Sequence, residues 1–162
     1  MKETVSIIRK ILSFIEEWEP KLNSLDNATI SQRRNSQNRT IKQILGHLVD
    51  SASNNTHRII HLQYQPSPFT FPNYATFGNN EHWIRIQDYQ NEDWITLIQL
   101  WKYTYLHFCH VIKNADDDKL ENEWISGPDT DKRITLKAMI VDFPEHLKLH
   151  LNEINVLINK NS

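Results

Sequence analysis

The chain has 162 residues, 23% of them charged and 39% apolar, with a formal net charge of −2. That balance belongs to one globular domain large enough to bury its own core, and it gives no electrostatic reason to expect nucleic acid as a partner. A lone cysteine, Cys109, excludes an intrachain disulfide framework, and the longest uninterrupted apolar run, residues 138–141, is far too short to cross a membrane.

Charged residues (Arg9, Lys10, Glu16, Glu17) interrupt the N-terminal apolar stretch, so no signal peptide is expected and a cytoplasmic location is. Helical periodicity covers residues 3–18, with Val5, Ile8, Leu12 and Ile15 as the inward stripe and Pro20 just past the end. Residues 23–39, rich in Asn, Ser, Gln and Arg, read as a loop. A second helix is expected over 40–63, carrying Ile41, Ile44, Leu45, Leu48, Ala52 and Ile59 inward.

The connection over 62–90 is long and dense in aromatics and prolines, among them Pro66, Pro68, Phe69, Phe71, Tyr74, Phe77, Trp83 and Tyr89. That composition predicts a lid packed over one end of the bundle, with Trp83 touching either the lid's own core or a bound substrate. A third helix opens near Asn91 as its cap, with a stripe from Trp94 through Trp101 and Phe108 to Ile112. Residues 114–133, with Trp124, Gly127 and Pro128, read as a turn-rich crossover. A fourth helix is expected over 135–158, and Pro144 inside it predicts either a kink or a fresh start, since Asp142-Phe-Pro-Glu145 resembles a capping box. These elements predict an all-α fold in a single domain, a four-helix bundle with long connections over residues 1–162.

Eight histidines are sorted by position. His146 and His150 stand at i and i+4, where Cβ atoms are about 5–6 Å apart and both imidazoles can reach one ion. They lie mid-helix at the edge of the apolar stripe. His57 and His61 share that spacing but end their helix, and His107 and His110 oppose the core face. Taken alone, such a pair also reads as satisfied core or surface histidines. His47, beside the second helix's stripe, supplies a third donor from a facing helix and completes a three-histidine set with an open position. Asp50, Ser51 and Asn54, within two turns of His47, are candidate pocket-lining residues, and Asp142 is a candidate to orient His146. Arg58 reads as part of a solvated face.

Other chemistries find no support in the residues. Three glycines cannot build a phosphate loop, the histidine pair lacks the glutamate of metalloprotease motifs, and Cys109 has no sequence signal of activation.

The segments Ile44-Leu-Gly-His47-Leu-Val-Asp-Ser-Ala-Ser-Asn-Asn and Asp142-Phe-Pro-Glu-His146-Leu-Lys-Leu-His150-Leu-Asn-Glu-Ile resemble the DinB/YfiT-like superfamily across essentially the whole chain. The resemblance implies a four-helix bundle holding one divalent metal through His47, His146 and His150, with no single reaction. Some members transfer groups to bacillithiol-type or mycothiol-type thiols, and others are called metal-dependent hydrolases. Pro144 departs from the aromatic or aliphatic residue expected there. The expected protein is therefore a metal-dependent enzyme acting on a small molecule, of thiol S-transferase type, with a low-molecular-weight thiol as cosubstrate. The alternatives are a hydrolase using a metal-bound water and a non-catalytic binding or structural bundle. Imidazole ligation suits Zn, Ni, Cu or Fe, with Zn or Ni placed first. No membrane partner is expected, and a homodimer is compatible with the sequence.

Overall fold

Ile7, Ile11, Ile15, Trp18 and Leu22 recur every three or four residues and turn one side of α1 (Lys2–Asn23) into the core. The structure, a computed structural model, describes residues 2–75, 78–125 and 132–160. Phe77, Gly127 and Pro128 lie outside the described residues. The buried face of α1 is rotated from the expected stripe, leaving Val5 exposed and Ile8 and Leu12 at the margin. Pro20 lies within α1 rather than beyond it. Proline forfeits one hydrogen bond there, and burial of Trp18 and Leu22 on either side holds the last turn.

The polar stretch expected as a loop contains a short helix, α2 (Asn27–Gln32). Asp26 caps it, accepting from the Thr29 amide at 2.8 Å and the Thr29 hydroxyl at 2.9 Å, and Ile30 anchors it in the core. Thr40 and Gln43 then form a reciprocal capping box that starts α3 (Ile41–Tyr64).

The long connection after α3 is structured throughout its described part. It holds β1 (Phe69–Thr70), α4 (Asn79–Ile86) and a 3-10 turn at Tyr89–Asn91, with Tyr74, Ile84 and Tyr89 buried. Asp93, not Asn91, caps α5 (Trp94–Lys113), accepting from the Thr96 amide at 2.8 Å. The crossover supplies β2 (Glu123–Ile125) and β3 (Arg133–Thr135), and Thr135 caps α6 (Leu136–Ile158). These strands form a small sheet in the order β1-β2-β3, β1 parallel and β3 antiparallel to β2. Phe69 pairs with Trp124, and Trp124 with Ile134. α6 runs unbroken through Pro144, so the fresh start at Asp142 is not used. Phe143, Pro144 and Leu147 are all buried there, and their packing carries the helix across the lost hydrogen bond.

The four long helices close a ring in which α1 and α3 each pack against both α5 and α6. Two exposed helix ends are closed from the connections: Arg33 donates to the carbonyls of Leu157 and Ile158 at the end of α6, and Asn122 to that of Leu62. Among the described residues, no helix is long and apolar enough to cross a membrane.

The connection is pinned where Tyr89 lies flat on Gly46. A Cβ at Gly46 would stand 2.2 Å from the Tyr89 ring, so only glycine permits the approach. The Tyr89 hydroxyl donates to Asp50 Oδ1 at 2.6 Å, as does the Gln87 amide at 2.6 Å. Gly46→Ala is therefore expected to destabilise the protein by about 1–3 kcal/mol in urea unfolding, as overpacking does. An unchanged midpoint would show that Tyr89 does not sit there.

Asp50 itself is 2% exposed, and burial raises its carboxyl to about 6 against the pull of its two donors. The folded state thus holds this proton more tightly than the unfolded chain. The penalty for ionisation is absent below the ordinary value of 3.8, grows between there and about 6, and is complete above. Asp50→Asn removes it. Relative to the parent, that variant should gain up to about 3 kcal/mol as the pH of the unfolding experiment is raised from 3.5 to 7. A difference that stays flat with pH would contradict the buried carboxyl.

Candidate metal centre

His47 projects from α3 toward α6, and His146 and His150 project back from successive turns of α6. His47 Nε2 lies 3.2 Å from His150 Nε2, which in turn lies 3.2 Å from His146 Nε2. One ring nitrogen from each histidine lies within 4.8 Å of the other two. His47 and His150 are buried and His146 is half-buried.

The other nitrogen of each ring is held from outside the cluster. His47 Nδ1 meets the Tyr74 hydroxyl at 2.5 Å, His146 Nδ1 the Ser51 hydroxyl at 3.4 Å, and His150 Nδ1 the Glu153 carboxylate at 3.1 Å. Outer partners of this kind fix the ring plane and the tautomer of a ligating histidine. Burial, then repulsion from the neighbouring histidines, pushes His47 down to about 2; burial and His150 push His146 down to about 4. Both rings are neutral at pH 7, the form that ligates.

The donor set fits a divalent cation. The Glu153 carboxylate can only accept, so His150 Nδ1 carries the proton and His150 Nε2 presents a lone pair. That lone pair faces two further imidazole nitrogens at 3.2 Å. An Nε2–H on each of the other rings can donate to it, or one cation can take all three nitrogens. Three imidazoles are a donor set for Zn, Ni, Cu or Fe.

A cavity of about 230 Å³ opens beside the cluster, lined by His47, Ser51, Arg58, Trp124, Phe143 and His146 among others. Ser51 thus both lines the cavity and holds His146. Asp142 also lines it, but the hydrogen-bond partner of the His146 ring outside the cluster is Ser51. Asp50 turns away to Tyr89 and Gln87. Asn54 donates to the Asp50 carbonyl at 2.9 Å and lines an adjoining cleft with Tyr74 and Trp83. Trp83, 40% exposed, stands edge-on to Tyr74 with centroids 5.4 Å apart, so it backs the residue that touches His47.

Sequence reasoning missed Tyr74, Glu153 and the buried state of Arg58. Glu153 had a signal, lying at i+3 from His150. Tyr74 had none, because its contact with His47 is made through the fold of a long connection. The second i,i+4 pair lies elsewhere: His57 is exposed, His61 stacks on Phe69 at 5.5 Å, and both line a larger cleft of about 620 Å³ with His107. No third donor converges on them among the described residues. Cys109 is buried, which pushes its thiol up to about 11, the setting of an inert cysteine.

The outer partners give a graded test. Tyr74→Phe and Glu153→Gln should each weaken Zn²⁺ affinity about 10- to 100-fold in competition with a chromogenic chelator, with the helical circular dichroism unchanged. Affinities equal to the parent's would remove these residues from the centre.

No protein-family model and no curated protein matches the chain. Among solved structures it is similar to YfiT from Bacillus subtilis, described as a probable metal-dependent hydrolase with an unusual four-helix bundle topology. The match has a TM-score of 0.78 at 16% identity and covers 95% of this chain and 85% of that one. The chain therefore shares the fold of YfiT, the four-helix bundle that the sequence resemblance implied.

Proposed function

We propose that the protein is a divalent-metal-dependent enzyme acting on a small molecule, with His47, His146 and His150 as the metal ligands. The observation that carries this reading is the convergence of three imidazole nitrogens whose ring partners all lie outside the cluster. A divalent ion bound there would act as a Lewis acid or lower the pKa of a water or thiol it holds.

The chain's own groups orient and exclude rather than attack. Tyr74, Ser51 and Glu153 hold the ligand rings in place, so little reorganisation is left for the reaction itself. Trp124, Ile134, Met139 and Phe143 wall the cavity and limit water around a bound substrate. No cysteine lines the cavity among the described residues, and Ser51 is engaged with His146. In this reading the nucleophile comes from solution, as water or as a small thiol.

Water is the better supported nucleophile, since the structurally similar YfiT is described as a probable hydrolase. Transfer to a thiol is the second reading, favoured by the apolar wall, which suits a soft electrophile beside the histidines. Both readings share one test. Untagged protein should take up about one Zn²⁺ or Ni²⁺ per chain, and His146→Ala or His150→Ala should abolish uptake, while His57→Ala with His61→Ala should leave it intact. Loaded protein is then assayed on small esters and amides, and on an electrophile with added thiol. Uptake that survives His150→Ala, or that is lost in the His57/His61 variant with the fold intact, would move the site. Turnover only with thiol would replace the hydrolase by the transferase.

A further inference from the structure

Arg58 lies three turns beyond His47 on α3 and lines the same cavity. Its side chain is 5% exposed, and a guanidinium is almost never buried to that extent without a partner. Most of its surroundings are accounted for. Nη1 donates to Asn55 Oδ1 at 3.2 Å, and the guanidinium carbon stands 3.9 Å from the centroid of the Trp124 ring, with Phe71 further off at 5.6 Å. Nε and Nη2 are enclosed and have no hydrogen-bond partner among the described residues, so an anion in the cavity reaches them by a turn of the guanidinium that lines it.

Those two nitrogens form one edge of the guanidinium, the fork that takes both oxygens of a carboxylate at once. Arg39 uses the same edge on Glu81 in this chain. Burial lowers the Arg58 pKa to about 10, which still leaves it a cation at pH 7. A buried cation costs stability; the Trp124 face returns part of that cost, and an anion at the free edge offsets the rest.

We infer that Arg58 receives the carboxylate of a small, elongated monoanionic substrate whose reacting centre lies at the three histidines; this rests on the reading of the same cavity as a metal-dependent active site. One fixed positive charge balances one negative charge. Asp142 lines the cavity as well and disfavours a dianion such as a phosphate monoester. Eleven residues of helix separate the Cα atoms of His47 and Arg58 by about 16 Å, a gap shortened by the N-terminal lean of the arginine side chain. The carboxylate and the reacting group are therefore several bonds apart, with the apolar middle of the molecule against Trp124, Met139 and Phe143. The cavity is small for a drug-sized ligand, which keeps the substrate compact in its other dimensions.

The probes are 3-phenylpropionate, its neutral amide and phenyl phosphate, titrated calorimetrically into Zn²⁺-loaded and metal-free protein. The acid should bind at least about tenfold more tightly than the amide, because the amide leaves the guanidinium fork unpaired. Arg58→Met should erase that preference while Zn²⁺ content stays at the parent value. Arg58→Lys keeps the charge without the fork and should retain only part of the preference, and it keeps the test open if the methionine variant fails to fold. Equal binding of acid and amide, no binding of the acid, a preference that survives Arg58→Met, or tighter binding of phenyl phosphate would each overturn the inference. The two readings fail separately. A protein that takes up no metal yet discriminates acid from amide through Arg58 keeps the anion site and loses the metal centre. A loaded protein blind to the acid does the reverse.

Discussion

Glu153 accepts and cannot donate, and from that the chemistry of the α3–α6 seam follows. The proton it claims on His150 Nδ1 empties His150 Nε2, and the empty nitrogen is the one that meets both other rings. Nε2–H groups on the other two rings, or a cation held between all three, can satisfy that nitrogen, and in an apolar bundle interior either interaction is stronger than it would be in water. Ser51 and Tyr74 extend the same logic outward, each occupying the nitrogen that does not face the centre.

The ring of long helices explains why the connections are long. α1 and α3 are consecutive among the long helices yet each packs mainly on α5 and α6, and the same holds of α5 and α6 with respect to α1 and α3. The chain must therefore cross the bundle end twice, and short turns cannot do that. The crossings are put to use. One carries Arg33, which closes the end of α6, and the other carries Trp124, which seats Arg58. The connection between the neighbours α3 and α5 needs no such length for topology, and it is the one that brings Tyr74 to His47.

The bundle was legible because its long helices bury stripes regular enough to survive single-residue errors, as in α5, where Leu97, Ile98, Trp101, Tyr105, Phe108 and Ile112 are all buried. In α1 the apolar residues are so dense that two overlapping stripes compete. Packing selected Ile7 and Ile11 over Val5 and Ile8, a choice made by the neighbouring helices and not by the local pattern. The strands escaped notice because two or three residues cannot display a period, and β1 exists only through a partner on the far side of α5 in the sequence. The histidine cluster could be found from the i,i+4 pair on one helix and a third histidine beside the stripe of another. Tyr74 could not, since nothing local marks a residue whose role is set across 27 positions of sequence. Arg58 was read as solvated because helical position beside a core face does not reveal that Trp124 from a distant strand will cover it.

Tyr74 belongs to the long connection and its hydroxyl belongs to His47, so two events that look separate are one equilibrium. A connection lifted from the bundle withdraws the group that fixes the His47 ring, and a ring locked by whatever fills the seam gives the connection a better-defined surface to settle on. By reciprocity of linked equilibria, the free energy the settled connection lends to occupancy of the seam is the same free energy that occupancy lends to the connection. The seating of the connection and the setting of the His47 ring are thus coupled through Tyr74, and Gly46, by letting Tyr89 lie flat, fixes where the connection rests.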